Sequence, residues 1–522
     1  MTTGLKWISL LAGIVALSMT YRINGAPYIP NDGYQYLDAA SSLASGKCFC
    51  TTVALFDEQV AYGRMPIPFT HFAPGYPLLI AGLSRLGMVP ETAGYLLSAL
   101  GYLVVLWLIW DIGLGLGAKG WVTGLSSLIW LTHASALWYA AMIGAESLFT
   151  ALLMALAALI IRDVRRTEAG IRLPLGIGVI AALSYWVRYP GLFLVGGAGI
   201  YLLIRASRSR EARSGAVAGL VAAAALVAPI QIRNAIYAGS WRGGFTSSGQ
   251  QSPVAVIVDS IRAFRYLLLG DRVPLRLDVW SGLFFLSAAA LLVLIVRAAR
   301  RGEFRIRPSQ EPLYWSVFIA AVYVAGVLAA TLSTIASDFP RYYLPVYPLL
   351  LACFAVACSL IARGMGAWIV ALAVLSAVAV ESRGLPVAPR SADWVFTRGL
   401  LDEEAEPSVS VTNWLENHVK ATDVIVAVEG QAVHFVLRRP VVAALEPNVS
   451  VRPMDEKTYF DVMRQYHSKY LVVFPGASPE RVPEQESSVF LRALASGTAP
   501  SWLRLAVRSR DAAVYECTGC GD

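Results

Sequence analysis

Long apolar runs separated by short polar stretches fill most of this 522-residue chain. A helix crosses the hydrocarbon core of a bilayer with roughly 20 apolar residues. The pattern predicts spans near 5–21, 92–112, 120–141, 146–162, 172–187, 190–205, 214–232, 281–297, 312–333, 343–361 and 366–381, about eleven by the hydropathy criterion. The run APGYPLLIAGLS (73–84) is apolar but short, and reads as an interfacial or re-entrant helix. Lys6 precedes the first run, but no small-x-small cleavage pattern follows near Asn24-Gly25-Ala26, so a retained first helix is expected.

After residue 382 the pattern becomes that of a soluble fold. WLENHVK (414–420), TYFDVMRQYH (458–467) and VFLRALAS (489–496) predict helices. DVIVAVE (423–429), HFVLRRPVVAAL (434–445) and YLVVFPG (470–476) predict strands, and LRLAVRSRDAAVYEC (503–517) a hairpin turning at Arg510-Asp511. Such alternation predicts a small α/β domain. The expected organisation is an all-α multi-pass membrane bundle over 1–382, with 22–91 as its first outer loop, followed by an accessory α/β domain over 383–522.

Composition agrees. The chain is 56% hydrophobic and only 15% charged, against about 25% charged in an average soluble domain. The net charge of +8 reads first as topology, because Lys and Arg collect in cytoplasmic loops. Nucleic-acid binding has little support, since no basic helix or RNP-like motif is present. Lys119, Arg162, Arg165, Arg166, Arg172, Arg205, Arg208, Arg210, Arg213, Arg297, Arg300, Arg301, Arg305, Arg307 and Arg363 fall in one set of alternate loops. The short loops of the other set hold little beyond Arg188 and Arg341. The expected location is the plasma (inner) membrane, with the N-terminus cytoplasmic. Residues 22–91, the loop 233–280 and the C-terminal domain are then extracytoplasmic. There, the pairs Cys48/Cys50 and Cys517/Cys520 are plausible disulfides, while Cys353 and Cys358 read as buried packing.

Walker A, H-E-x-x-H, G-x-S-x-G and D-x-D motifs are missing, so a nucleotide-dependent cytoplasmic activity has little support. What stands out is a set of ionisable residues at the outer ends of spans: Asp32, Asp38, His71, Glu146, Arg188, Arg233, Asp338 and Arg341. Each has a bland reading, as a cap or a snorkelling anchor. His133, in mid-span, reads as a satisfied packing residue. Their common side of the membrane points instead to a cavity holding carboxylates and guanidiniums. Arginines suit a phosphate, and a carboxylate can act as general base towards a hydroxyl. An activated sugar on a polyprenyl phosphate fits such a site: phosphate at the interface, tail in the bilayer.

The layout resembles the GT-C superfamily of membrane glycosyltransferases, in particular the bacterial relatives of protein O-mannosyltransferases and lipid A aminoarabinose transferase. NDGYQYLDAASSLASG (31–46) is similar to the family's first outer loop, and HFAPGYPLLIAGLSRLG (71–87) to the interfacial segment after it. GAESLFTALLMALA (144–157), PIQIRN (229–234), FPRYYLPVYPLLL (339–351) and WLENHVKATDVIVA (414–427) resemble later family stretches in the family's order. The resemblance implies sugar transfer from a polyprenyl-phosphate donor, normally with inversion, to an acceptor glycan, lipid or protein. It places Asp32 where the catalytic acid sits. Arg341 and Arg233 are then candidates for the donor phosphate, and Glu146, Arg188, Tyr36 and His71 for the substrate cavity. No cofactor is implied. Many relatives carry two adjacent acids in this loop, whereas Gly33 follows Asp32 here, which weakens any case for a divalent metal. Asp57-Glu58, an acidic pair in the same loop, reads as a solvated surface turn. Two other classes of membrane protein share parts of this pattern or invite comparison with it. A polysaccharide polymerase or ligase would gather arginines on the outer loop, where Arg242, Arg262, Arg265, Arg272 and Arg276 lie. A transporter would need inverted repeats and mid-membrane charge, and no clear repeat is present.

Overall fold

The computed structural model describes residues 2–24, 29–56, 63–166, 170–244, 252–269, 279–301, 310–332, 340–362, 364–381, 410–444, 454–474 and 488–520. The pair Asp57-Glu58, Asp338, Arg272 and Arg276 lie outside the described residues.

Helix α1 (Thr2–Asn24) comes first, and two amphipathic helices, α2 (Asn31–Ala44) and α3 (Gly75–Arg85), follow it. Between them run short strands β1 (Cys50–Thr51), β2 (Val53–Leu55) and β3 (Ile67–Pro68). The bundle continues with α4 (Pro90–Gly115), α5 (Gly120–Thr132), α6 (Ala134–Ala140), α7 (Glu146–Arg165), α8 (Arg172–Val187), α9 (Gly191–Arg208) and α10 (Arg210–Ala238). Then come α11 (Pro253–Leu269), α12 (Val279–Arg300), α13 (Glu311–Thr331), α14 (Tyr347–Ile361) and α15 (Met365–Glu381). Seven helices among the described residues are long and apolar enough to cross a membrane. With the shorter apolar helices α8, α12 and α15 and the split pair α5–α6, all eleven expected segments are helical. The chain is a multi-pass membrane protein.

Two details differ from the expected spans. The segment 120–141 is two helices, broken at His133. There His133 Nδ1 accepts from the Ala136 N–H at 3.1 Å, so Nε2 carries the proton and donates to the Leu267 carbonyl of α11 at 2.6 Å. The imidazole replaces the backbone bonds lost at the break, which bears out a satisfied packing role. The span expected from 343 begins with two 3-10 turns, Pro340–Tyr342 and Leu344–Val346, before α14.

The C-terminal region forms α16 (Val411–His418), β4 (Ile425–Ala427), α17 (Gly430–Leu437), β5 (Val441–Ala443), α18 (Glu456–Gln465), β6 (Tyr470–Val473), α19 (Val489–Ala495), β7 (Leu503–Arg508) and β8 (Ala513–Cys517). One expectation is corrected: the first half of HFVLRRPVVAAL is the end of α17, and only the second half is a strand. A short apolar run has no period that separates the two states. The sheet has the order β2-β5-β4-β6-β8-β7, parallel through the first four strands and antiparallel beyond. Its edge strand β2 comes from the segment between α2 and α3, with Val53 opposite Val441 and Leu55 opposite Ala443. Cys48 is bonded to Cys50 and Cys517 to Cys520.

Candidate active site

Asp32 lies in the first turn of α2, where an acid is favoured by the helix dipole. The helix starts hard against the turn before α7. A Cβ on Gly33 would lie 2.7 Å from the Ile143 carbonyl oxygen. Glycine permits that approach without a shift of the backbone. Across the contact, Ser98 Oγ donates to the Gly144 carbonyl at 3.0 Å, and Tyr76 Oη donates to the Gly94 carbonyl at 2.8 Å. These bonds hold the turn that launches α7 with Glu146 in its first turn. Gly144 leaves room for that acid, since a Cβ there would lie 2.5 Å from Glu146 Oε2.

Two arginines complete the cluster. Arg341, on the 3-10 turn before α14, donates from Nη1 to Asp32 Oδ2 at 2.7 Å, with Glu146 Oε1 4.0 Å from the same nitrogen. Arg188, the C-cap of α8, brings Nη1 to 3.3 Å from Glu146 Oε1. That nitrogen is buried and completes no hydrogen bond among the described residues. Tyr342 lies under both guanidiniums, 5.4 Å from each to its ring centroid, and Phe149 lies 6.0 Å from Arg188. The cluster is graded: the Glu146 and Arg188 side chains are 4% and 10% exposed, those of Asp32 and Arg341 23% and 25%. Burial would lower the Arg341 pKa, but Asp32, then Tyr342 and Glu146, hold it well above its ordinary value.

Tyr36 is buried on α2 among Phe69, Phe72 and Tyr76. Burial, and then Asp32 and Glu146, push its phenol well above the ordinary range, so it offers the cluster a neutral hydroxyl. His71 Nδ1 donates to the Gly244 carbonyl at 3.2 Å. Burial lowers the His71 pKa, partly offset by that carbonyl and by Asp32. Arg233 is placed differently. Its guanidinium bonds the Phe69 carbonyl, reaches Asn234 Oδ1 at 3.5 Å and lies 5.0 Å from the Phe49 ring. It has no ion pair with Asp32 or Glu146 among the described residues, and it anchors the loop that carries His71. Of the arginines between α10 and α12, Arg242 lies over Trp241 and Arg262 pairs with Asp259.

The sequence reading missed Tyr342, which lies inside the quoted FPRYYLP stretch. It also left unassigned the use of Asp38, which is held by residues of the C-terminal domain and of the strand segment after α2. Among the described residues no three His, Cys, Asp or Glu side chains gather as a metal ligand set. At the other end of the bundle, Lys6 and Arg162 pair with Asp111, Arg205 with Asp163 and Arg208 with Glu311. The α7 helix separates Glu146 from Arg162 by about 24 Å at 1.5 Å per residue.

No family model and no curated protein sequence matches the chain. Solved structures do. ArnT from Cupriavidus metallidurans, bound to undecaprenyl phosphate, matches 99% of this chain and 99% of its own, with TM-score 0.55 and 14% identity. The oligosaccharyltransferase of Archaeoglobus fulgidus in its apo form matches 90% of this chain and 69% of its own, with TM-score 0.51 and 10% identity. The mycobacterial arabinofuranosyltransferase AftD matches 98% of this chain and 41% of its own, with TM-score 0.54 and 14% identity. At such identities the likeness is one of fold: this chain has the fold that these three solved membrane proteins share, and the likeness spans 90–99% of it.

Proposed function

We propose that this chain is a glycosyltransferase that moves a sugar from a polyprenyl-phosphate donor to an acceptor hydroxyl at the outer face of the plasma membrane, with inversion. One observation carries the reading: two carboxylates and two guanidiniums from four distant parts of the chain meet, ion-paired and largely out of water, at one end of an apolar bundle. Charges withdrawn from water at membrane depth are costly and are kept where they serve a function. The solved relatives support the lipid. ArnT was solved with undecaprenyl phosphate, and the archaeal oligosaccharyltransferase AglB with a dolichol phosphate.

In this reading the donor phosphate meets Arg341 and Arg188, whose guanidiniums suit phosphate oxygens. Among the described contacts Asp32 uses only Oδ2 on Arg341, which leaves Oδ1 to take the proton of the acceptor hydroxyl. The acceptor oxygen bonds to the anomeric carbon from the face opposite the phosphate. The bond from that carbon to the phosphate oxygen breaks, and its electron pair leaves on the polyprenyl phosphate. Charge neutralisation by arginines requires no resident metal, and activity is expected to survive chelator. The membrane bundle to about residue 382 is the catalytic module. The Lys/Arg-rich end of the bundle is cytoplasmic, and the C-terminal α/β domain lies outside with the site.

The test is a panel of labelled polyprenyl-phosphate sugars offered to the full chain in nanodiscs with membrane-envelope acceptors. Wild type is expected to transfer one of them and release polyprenyl phosphate, and Asp32→Asn to lose at least about a hundredfold, the scale of general base catalysis. Near-normal transfer by folded Asp32→Asn removes Asp32 as the base. Transfer from a lipid-linked oligosaccharide alone would favour a polymerase or ligase.

A further inference from the structure

The C-terminal domain touches the helix that carries Asp32 at two points. Tyr34 and Asp38, four residues apart, lie on one face of α2. Successive residues of α17 meet them: the Phe435 ring lies 5.2 Å from the Tyr34 ring, and His434 Nε2 lies 3.3 Å from Asp38 Oδ1. The other Asp38 oxygen, Oδ2, accepts from Thr51 Oγ1 at 2.7 Å, the Thr52 N–H at 2.6 Å and Thr52 Oγ1 at 3.1 Å. His434 Nδ1 faces the Arg439 carbonyl at 2.6 Å and donates to it. Both ring nitrogens of His434 thus face acceptors. The contact is dry: His434 is 5% exposed and Tyr34 fully buried. The α17 helix is flanked by Glu429 and Arg438, both in the left-handed region at φ 53° and 54°. Such strain persists in non-glycine residues only where the surroundings impose it. From that bend Arg438 stacks 4.3 Å from Phe435 and reaches Glu91 at the start of α4 at 3.8 Å.

We infer that the C-terminal domain is a positioning element for the catalytic helix, acting through His434 and Phe435 on Asp38 and Tyr34. Its effect on turnover rests on the reading of Asp32 as base, while the contact itself does not. Loosening α2 displaces Asp32 from the anomeric carbon without removing any group that holds the donor, so kcat falls and the donor KM stays.

The test uses the full chain in nanodiscs. His434→Gln and Asp38→Asn are each expected to lower kcat about tenfold or more, the cost of a misplacement of about 1 Å or less. The donor KM is expected to stay within about twofold, and the double variant to be no worse than either single one, as coupled partners require. His434→Lys, which restores an N–H donor opposite Asp38, is expected to recover part of the loss. Amide hydrogen exchange over residues 33–44 is expected to quicken in His434→Gln while β4, β6 and β8 keep their protection. Unchanged kcat and unchanged α2 exchange in folded His434→Gln overturn the inference, and so does a loss of protection throughout the C-terminal sheet. If wild type transfers no sugar from any donor and α2 still loosens in the variant, the inference stands and the proposed reaction fails.

Discussion

At the scale of single residues, the charges near the membrane surface were legible and their pairing was not. Asp32, Glu146, Arg188 and Arg341 stand out in the sequence because ionised groups beside hydrocarbon need a reason. Which arginine meets which acid depends on contacts between residues as far apart as Asp32 and Arg341, and Arg233 shows the limit: the same residue type at a similar depth serves a carbonyl instead. Gly33 is a further case, since its constraint is the Ile143 carbonyl and no local pattern reveals it. Gly33→Asp is therefore expected to destabilise the protein by about 1–3 kcal/mol through overpacking, read as a lower melting temperature in detergent. Arg188→Lys keeps the charge but loses the planar fork, and the donor KM is expected to rise about tenfold with little change in folded yield. Asp38 carries the pH dependence. Burial would raise its pKa, but His434, the Thr52 N–H and Thr51 outweigh this and hold it below the ordinary carboxylate range. A carboxylate lowered in this way stabilises the fold fully above its unfolded value of about 4, and that contribution fades as the pH falls through the lower folded value. The gap in melting temperature between wild type and Asp38→Asn is thus expected to be widest near pH 7 and to close in acid.

At the scale of elements, long periodic runs were read well and interruptions were not. Apolar length alone marks a spanning segment, so α4, α7 and α10 were plain. The break at His133 was not, because the apolar pattern continues across it while the helix does not. Its stability comes from a carbonyl 134 residues away, at Leu267. His133→Ala leaves that carbonyl and the Ala136 N–H without the imidazole, at a cost of about 1–3 kcal/mol for each buried group left unpaired. The expected result is a lower melting temperature, together with faster exchange in α11 as it detaches. An unaltered α11 would show that other contacts dock it. In the C-terminal domain, residues 434–437 at the end of α17 pass for part of a strand because their apolar stretch is too short to display a period.

At the scale of the whole molecule, the sheet joins two regions that the sequence presents as separate. Strand β2, in the loop that follows the Asp32 helix, pairs with β5 beyond the last span. Residues 383–522 produced alone would leave β5 with one apolar edge unpaired, and such edges invite association. The isolated fragment is expected to aggregate, and a peptide covering 50–56 to shift it towards monomer, as read by size-exclusion chromatography; a monomeric fragment without the peptide would show that the edge is dispensable. The shared sheet also sets an order of manufacture. Leu55 leaves the ribosome roughly 386 residues before Val441, which at about 5–20 residues per second is on the order of 20–80 s. For that interval the loop behind the Asp32 helix has no strand to pair with. A chain that stops early therefore inserts its helices yet never completes the sheet.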